Sequence, residues 1–107
     1  YKIDEGIIRL IENIDNKNTS AVREFYMEDP FPNYNSFDNL DNFIEKMSSN
    51  NYIQSILKLI NPNDKILEFG CGTGQLGNYL SAMSYANIVG ADLTINSLKM
   101  ANNFKKK

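Results

Sequence analysis

Two acidic residues and a run of glycines are the strongest candidates for a chemical role in this chain. Glu68 stands two positions before Gly70, and Gly72 and Gly74 follow at alternate positions. Glycine has no side chain that would keep a ligand away from the backbone. Asp92 ends the next apolar stretch, and a carboxylate there can accept hydrogen bonds from ligand hydroxyl groups. The pattern predicts a small-molecule site of bare backbone with two nearby carboxylates.

A strand, a helix and a second strand are predicted to carry these residues. Residues 66–69 are predicted as a short strand, and residues 88–91 as another. Between them, the apolar residues of 76–83 recur at i, i+3, i+4 and i+7, which is typical of an amphipathic helix. A right-handed βαβ unit of this kind opens its ligand crevice at the carboxyl ends of the strands, where the glycines and Asp92 lie.

Two cofactors fit this spacing. Gly72–Gly77 is a GxGxxG string with Asp92 about 20 residues beyond its start, as in dinucleotide-binding proteins, so an NAD(P)-dependent oxidoreductase is the alternative. Glu68 opposes it, because a carboxylate would repel a pyrophosphate. S-adenosylmethionine has no phosphate; Glu68 would attract its ammonium and sulfonium, and the helix start at 74–76 would favour its carboxylate. Asp92 would accept from ribose in either case.

Glu68–Gly74, which reads EFGCGTG, resembles the first motif of class I S-adenosylmethionine-dependent methyltransferases, and Val89–Asp92 resembles the second. Upstream, residues 20–34 are similar to a segment of bacterial methyltransferases that contains an Asn-Pro-Tyr-Pro-Arg-Trp string. Asp29 replaces its usual Asn, and Asn33-Tyr34 replaces its Arg-Trp. The resemblance implies a Rossmann-like methyltransferase fold and methyl transfer by in-line displacement, with no particular acceptor or catalytic residue.

The resemblance and the residues together give a set of candidate cofactor contacts. We expect the glycines to form the backbone cradle, the two carboxylates to face the amino end and the ribose, and Leu93 to lie beside the adenine. Tyr34 is a candidate shield for the sulfonium, or else it pins the helical region to the sheet. Cys71 is expected to be a small residue in a tight turn, because the chain has no histidine to activate a thiol. The candidate residues are Tyr34, Glu68, Gly70, Cys71, Gly72, Gly74, Asp92 and Leu93.

Thr94 is predicted to cap the helix after the second strand, which would leave Asp92 free for a ligand. Tyr26 has a weaker claim to a role in the site.

Residues 1–61 are predicted to form a helical cap or lid, and residues 62–107 the start of the cofactor domain. Helices are expected over 3–14, from Thr19 or Ser20 to Tyr26, over 40–47 and over 52–60, with an extended Pro-containing segment at 29–34. The fold class is therefore α/β, with a helical cap before one βαβα unit of two parallel strands. A complete domain of the resembling family has further strands, so we expect a truncated chain that is inactive alone.

Composition adds few constraints. A net charge of −2 gives no general attraction to nucleic acid, no apolar run is long enough for a membrane span, and the absence of histidine argues against a zinc site. One cysteine allows no internal disulfide, so we expect a cytoplasmic protein. A further alternative is a non-catalytic module that binds a partner through an uncovered sheet edge.

Overall fold

The computed structural model describes residues 1–10, 17–30, 34 and 39–105. These residues form a mixed α/β structure with two small sheets. In chain order the elements are β1 (Lys2–Asp4), β2 (Ile7–Arg9), α1 (Lys17–Glu28), α2 (Leu40–Ser48), α3 (Asn51–Leu57), β3 (Lys65–Phe69), α4 (Gln75–Ser84), β4 (Asn87–Ala91) and α5 (Ile95–Lys105).

The predicted strand-helix-strand unit is confirmed. Strands β3 and β4 pair in parallel, from Lys65 opposite Asn87 to Phe69 opposite Ala91, and α4 connects them. Both strands therefore end at the same edge, and the glycine loop and Asp92 leave the sheet side by side. The predicted helices over 40–47 and 52–60 are also present, although α3 ends earlier, at Leu57.

The predicted helix over 3–14 is wrong at its start. Residues 2–9 form an antiparallel hairpin in which Ile3 lies opposite Ile8. Its two turn residues, Glu5 and Gly6, both have positive φ angles, of 50° and 83°. Such a two-residue turn matches the twist of the flanking strands, and the β-branched isoleucines favour strands, so turn chemistry prevails over the helical spacing. Ile11 and Ile14, which completed the predicted helix, lie outside the described residues.

The hydrophobic core lies between α4 and the helical pair α2 and α3. Its buried members are Phe43, Met47, Ile53, Tyr79 and Leu80. The Tyr79 hydroxyl is satisfied there, because it lies 2.9 Å from both the Ser48 hydroxyl and the Gln54 amide nitrogen. This core fixes the orientation of α4, and with it the glycine loop from which the helix begins.

One face of the β3–β4 sheet is exposed in the described part of the chain. Leu67, Phe69 and Val89 are 55%, 80% and 64% exposed, whereas Ile66, Glu68 and Ile88 on the opposite face are partly buried. Parallel sheets are ordinarily covered on both faces. In the described part of the chain neither strand pairs with a third, so the sheet also has two open edges.

The N-terminal elements reach α5 through polar contacts. Arg23 Nε donates to the Leu93 carbonyl at 3.4 Å, and Asn96 Nδ2 donates to the Met27 carbonyl at 2.8 Å, which ties α1 to the loop and helix after β4. Lys99 of α5 pairs with Glu5 of the hairpin at 3.0 Å. Within the described ranges, no helix is long and apolar enough to cross a membrane.

Candidate functional site

A pocket of about 380 Å³ opens at the carboxyl ends of β3 and β4. It contains four of the eight residues predicted for the site, namely Gly70, Cys71, Gly72 and Asp92. Three further residues complete the described lining: Tyr26 from α1, and Thr94 and Ser97 from the start of α5. The pocket therefore opens at the sheet edge where the strand-helix-strand pattern predicted the crevice, and the binding of a ligand there stays a prediction.

Asp92 ties the two loops of the pocket together. Its Oδ2 accepts the Gly72 N–H at 2.8 Å, and its Oδ1 accepts both the backbone N–H and the hydroxyl of Thr94, at 2.9 and 2.6 Å. The expectation that Thr94 leaves Asp92 free is therefore wrong. A short acidic side chain commonly binds the N–H two residues on, as Asp92 does here at the turn from β4 into α5.

The backbone N–H groups of the glycine loop are largely used inside the protein. Gly70 and Cys71 both donate to the Ala91 carbonyl, at 2.8 and 3.1 Å. Gly72 donates to Asp92, and Gly74 donates to the Cys71 carbonyl at 2.9 Å. These bonds hold the loop in one shape and leave these four N–H groups engaged with protein acceptors.

Glycine is found at positions 70 and 74 for different structural reasons. A Cβ added at Gly70 would meet no atom within 4 Å, so this position opens toward free space beside the pocket. A Cβ at Gly74 would lie 2.7 Å from the Cβ of Ala101 in α5. Both residues have positive φ, at 68° and 71°. Gly70 therefore exposes backbone where a ligand could approach, whereas Gly74 permits the close approach of α5.

Glu68 lies between the sheet and the first turn of α4 and is half-buried there. Its carboxylate accepts the Gly77 N–H, and a Cβ at Gly77 would lie 2.7 Å from Glu68 Oε2. Burial raises the pKa of Glu68, and the Gly77 N–H partly offsets that rise. Gly74, which precedes α4, has no side chain to cap it, so Glu68 supplies the negative charge at this helix start.

Cys71 lies within the influence of both carboxylates. Burial raises the pKa of its thiol to about 11, and the charges of Glu68 and Asp92 add to that rise. The thiol therefore stays protonated at neutral pH, as expected for a packing residue. A Cβ at Gly90 would lie 2.7 Å from Cys71 Sγ, so Gly90 of β4 makes room for this side chain.

Tyr34 lies on the other side of the glycine loop. Its hydroxyl donates to the Thr73 carbonyl at 2.8 Å and accepts from Asn78 Nδ2 at 3.3 Å. Its ring stacks on Phe104 with centroids 4.1 Å apart. Tyr34 thus lines a separate, smaller hollow of about 180 Å³. These contacts correspond to the predicted role of Tyr34 in pinning the helical region to the rest of the fold. Its role as a shield for the sulfonium stays a prediction. The neighbouring Phe31 lies outside the described residues.

Leu93 is 46% exposed beside the pocket, and its carbonyl accepts from Arg23. Its contact with adenine therefore stays a prediction.

The sequence reasoning assigned no site role to Ser97 or Asn78. Ser97 is 1% exposed and lies 2.8 Å from the Thr94 hydroxyl oxygen. Asn78 bridges Tyr34 to α5 by donating to the Ala101 carbonyl at 3.2 Å. A small polar residue in the first turn after Asp92 was the available signal for Ser97, whereas nothing local distinguishes Asn78 from the many surface asparagines of the chain.

Comparison with known proteins gives one similarity. The chain is 26% identical over 99 residues to phosphoethanolamine N-methyltransferase 1 of Arabidopsis thaliana, which covers 92% of this chain. It spans 18% of the length of that relative. No family model matches the chain, and no solved structure matches it.

Proposed function

We propose that this chain forms the cofactor-binding part of an S-adenosylmethionine-dependent methyltransferase. The observation that carries the proposal is the pocket at the ends of β3 and β4, where bare glycine backbone meets the Asp92 carboxylate without a cation among the described lining residues. Glu68 lies outside the described lining, but its charge reaches Cys71 in the pocket wall. The similarity to a plant methyltransferase supports the same reading. The methyl acceptor is left unassigned.

Charge is the first argument. Glu68 and Asp92 both raise the pKa of Cys71, so both carboxylates contribute negative charge at this wall of the pocket, and the nearby Arg23 guanidinium bonds the Leu93 carbonyl. Like charges close together in a partly buried site repel strongly, which disfavours a pyrophosphate, whereas a cationic sulfonium and ammonium would be attracted. The raised pKa of Glu68 is itself what a carboxylate without a cationic partner displays.

Hydrogen bonding is the second argument, and it is directed against the dinucleotide alternative. A phosphate at a glycine loop is held by unpaired backbone N–H groups. Here the N–H groups of Gly70, Cys71, Gly72 and Gly74 go to protein acceptors, and that of Gly77 goes to Glu68. A phosphate could use these five N–H groups only by displacing a protein acceptor.

The proposed roles follow from these positions. Gly70, Cys71 and Gly72 would form the floor against which the ligand lies, and Asp92 would accept from its ribose. Glu68 would stabilise its cationic end through the field that already reaches Cys71. When bound, S-adenosylmethionine supplies a methyl carbon activated by the sulfonium charge, so the protein need only orient it and exclude water.

Ligand-induced stabilisation tests the proposal. A ligand that binds only the native state at about 100 times its Kd adds about 2.7 kcal/mol of stability. In a chain of this size each kcal/mol shifts Tm by about 4–8 °C, so S-adenosylmethionine or S-adenosylhomocysteine should raise Tm by about 10–20 °C. NAD⁺ at equal concentration should leave it unchanged. A shift with NAD⁺ alone would favour the oxidoreductase.

Matched variants connect the ligand to the site. Asp92→Ala should weaken S-adenosylhomocysteine binding in calorimetry, because it removes the acceptor proposed for ribose. Glu45→Ala, which removes the same charge from an exposed position on α2, is the control and should bind as the unaltered protein does. Equal affinity in all three proteins would refute the assignment of Asp92.

The exposed sheet face gives a second candidate function, an interaction module. Leu67, Phe69 and Val89 form an apolar surface, and each strand has an open edge in the described residues. Such surfaces ordinarily become covered, either by further secondary structure or by association. An interaction module would use this face, and the ligand pocket would then be incidental to it.

A further inference from the structure

We infer that Tyr26 supplies the aromatic contact for the cationic sulfonium of the ligand, and that this contact favours S-adenosylmethionine over the uncharged S-adenosylhomocysteine. The inference rests on the proposed function, because it names the residue of that site that would distinguish the charged cofactor from its demethylated product. The position of Tyr26, the bonds that hold α1 and the charges around the pocket support it.

Tyr26 is the aromatic residue among the described residues that line the pocket. The others in this lining are glycines or small side chains without a ring. Tyr34, the candidate shield from the sequence, lines the separate smaller hollow, with its ring stacked on Phe104 and its hydroxyl bonded to the Thr73 carbonyl. Within the described lining, an aromatic contact to a ligand would therefore come from α1.

Two hydrogen bonds hold α1 against the start of α5, one on each side of Tyr26 in the sequence. Arg23 Nε donates to the Leu93 carbonyl at 3.4 Å, and Asn96 Nδ2 donates to the Met27 carbonyl at 2.8 Å. Both bonds join α1 to the segment directly after β4, which contributes to the pocket wall. The position of Tyr26 at the pocket is thus fixed from both sides.

Tyr26 is not a core residue. Helix α1 contains no buried residue, and Tyr26 itself is 38% exposed. The neighbouring Phe25 ring meets the Tyr26 ring in a T-shaped arrangement, with centroids 5.2 Å apart, which favours one orientation of the ring. The side chain therefore has accessible surface that a ligand in the pocket could cover.

The charges around the pocket favour a cation at this ring. Asp92 lies in the lining, and the charge of Glu68 reaches Cys71 in the same wall. The Arg23 guanidinium, one turn before Tyr26, opposes these two carboxylates in part. An aromatic face attracts a cation, and more strongly where water is excluded, whereas an uncharged thioether gains no such attraction.

The experiment compares S-adenosylmethionine with S-adenosylhomocysteine, which lacks the methyl group and the charge, by calorimetry on the unaltered protein and on Tyr26→Leu. Both ligands lose packing against the ring in this variant, but only S-adenosylmethionine loses the attraction between cation and ring. We therefore expect the ratio of the two affinities to shift by about threefold to tenfold against S-adenosylmethionine. Equal losses for the two ligands, or no loss for either, would overturn the inference.

Further variants separate the ring from general stability. Tyr26→Phe keeps the ring and should keep the affinity ratio of the unaltered protein; a shifted ratio would also overturn the inference. Tyr52→Leu, which removes a 73% exposed tyrosine from α3, is the control and should change neither affinity. Because α1 buries no residue, Tyr26→Leu should fold, which urea denaturation checks. If it does not fold, Tyr26→Met gives the same comparison with a longer side chain that lacks a ring.

The outcomes separate the two proposals. If neither ligand binds the unaltered protein, the proposed function fails, and the inference fails with it. If both bind and Tyr26→Leu weakens them equally, the adenosyl site stands and only the role of Tyr26 fails.

Discussion

Gly70 and Gly74 form a matched pair that separates ligand space from packing space. Both have left-handed backbone, with φ of 68° and 71°, so alanine at either position carries a similar conformational penalty. Their surroundings differ. A Cβ at Gly70 would meet nothing within 4 Å, whereas one at Gly74 would lie 2.7 Å from Ala101 Cβ, where ordinary contacts are 3.4–4 Å. We therefore expect the two alanine variants to fail in different ways.

The magnitudes follow from these contacts. An alanine in the left-handed region costs about 1–2 kcal/mol, which is the whole expected loss of stability for Gly70→Ala. Gly74→Ala adds overpacking against α5, about 1–3 kcal/mol more, for a total of about 2–5 kcal/mol. Removing a glycine also restricts the unfolded chain by a similar amount in both variants, so that contribution cancels in the comparison. A small domain has only about 5–15 kcal/mol of stability, so the second loss is severe.

For ligand affinity, the order of the two variants should be reversed, with the larger loss in Gly70→Ala. Gly70 lines the pocket, so the Gly70→Ala methyl group would occupy space proposed for the ligand and weaken S-adenosylhomocysteine binding about tenfold or more. Gly74 is not among the described lining residues. Under conditions in which Gly74→Ala is folded, its affinity for S-adenosylhomocysteine should therefore be closer to that of the unaltered protein than the affinity of Gly70→Ala is.

Urea denaturation gives the two stabilities, and calorimetry under native conditions gives the two affinities. The reasoning is refuted if Gly70→Ala destabilises as much as Gly74→Ala. It is also refuted if Gly70→Ala binds ligand with unchanged affinity, because the open position would then not face the ligand.

Three further predictions concern Glu68, Tyr34 and the bare sheet face. Because burial raises the pKa of Glu68 in the folded protein, affinity for an adenosyl cation should fall as pH is lowered through that raised value, and Glu68→Gln should abolish this pH dependence in calorimetry. Because the pKa of Glu68 is higher in the folded than in the unfolded protein, the ligand-free protein should lose stability as pH rises from the unfolded-state pKa through the folded-state pKa. Thermal unfolding of Glu68→Gln should lack that loss. Tyr34→Phe keeps the stack on Phe104 but loses the bond to the Thr73 carbonyl, so it should cost about 1 kcal/mol in urea denaturation, and no measurable loss would contradict the pinning role. Phe69→Lys should reduce any self-association seen by analytical ultracentrifugation without lowering Tm, because Phe69 is 80% exposed; a large drop in Tm would mean that this side chain is packed.

The β3–α4–β4 unit could be predicted from the local sequence because the apolar spacing and the glycine positions indicate the same structure. Strand β3, helix α4 and strand β4 each follow from apolar spacing over a few residues, and the glycines fix where the strand turns into the helix. Since parallel strands end at one edge, the proximity of Gly72 and Asp92 also follows from the sequence. The 2.8 Å bond between them is the direct result.

The N-terminal hairpin was missed because two local signals conflict. Ile3, Ile7 and Leu10 recur at helical spacing, but Glu5-Gly6 forms a tight turn, and isoleucines pair well across strands. Spacing alone does not decide between these structures in so short a segment. The contacts of Glu5 with Lys99 and Asn102 of α5 add a tertiary preference that local sequence does not carry.

Residue types and short-range periodicity were enough to predict that the glycines, Glu68 and Asp92 leave the sheet near one edge. The contacts that these residues make depend on how the elements pack together. The tertiary structure directed Glu68 to the start of α4, gave Gly74 to the packing of α5 and placed Tyr34 behind the glycine loop. It also brought Thr94 and Ser97 to Asp92. The physical reason is that hydrogen bonds and close contacts depend on distances between elements, and those distances are fixed by the packing of α4 and α5 on the sheet and by the core beneath α2 and α3.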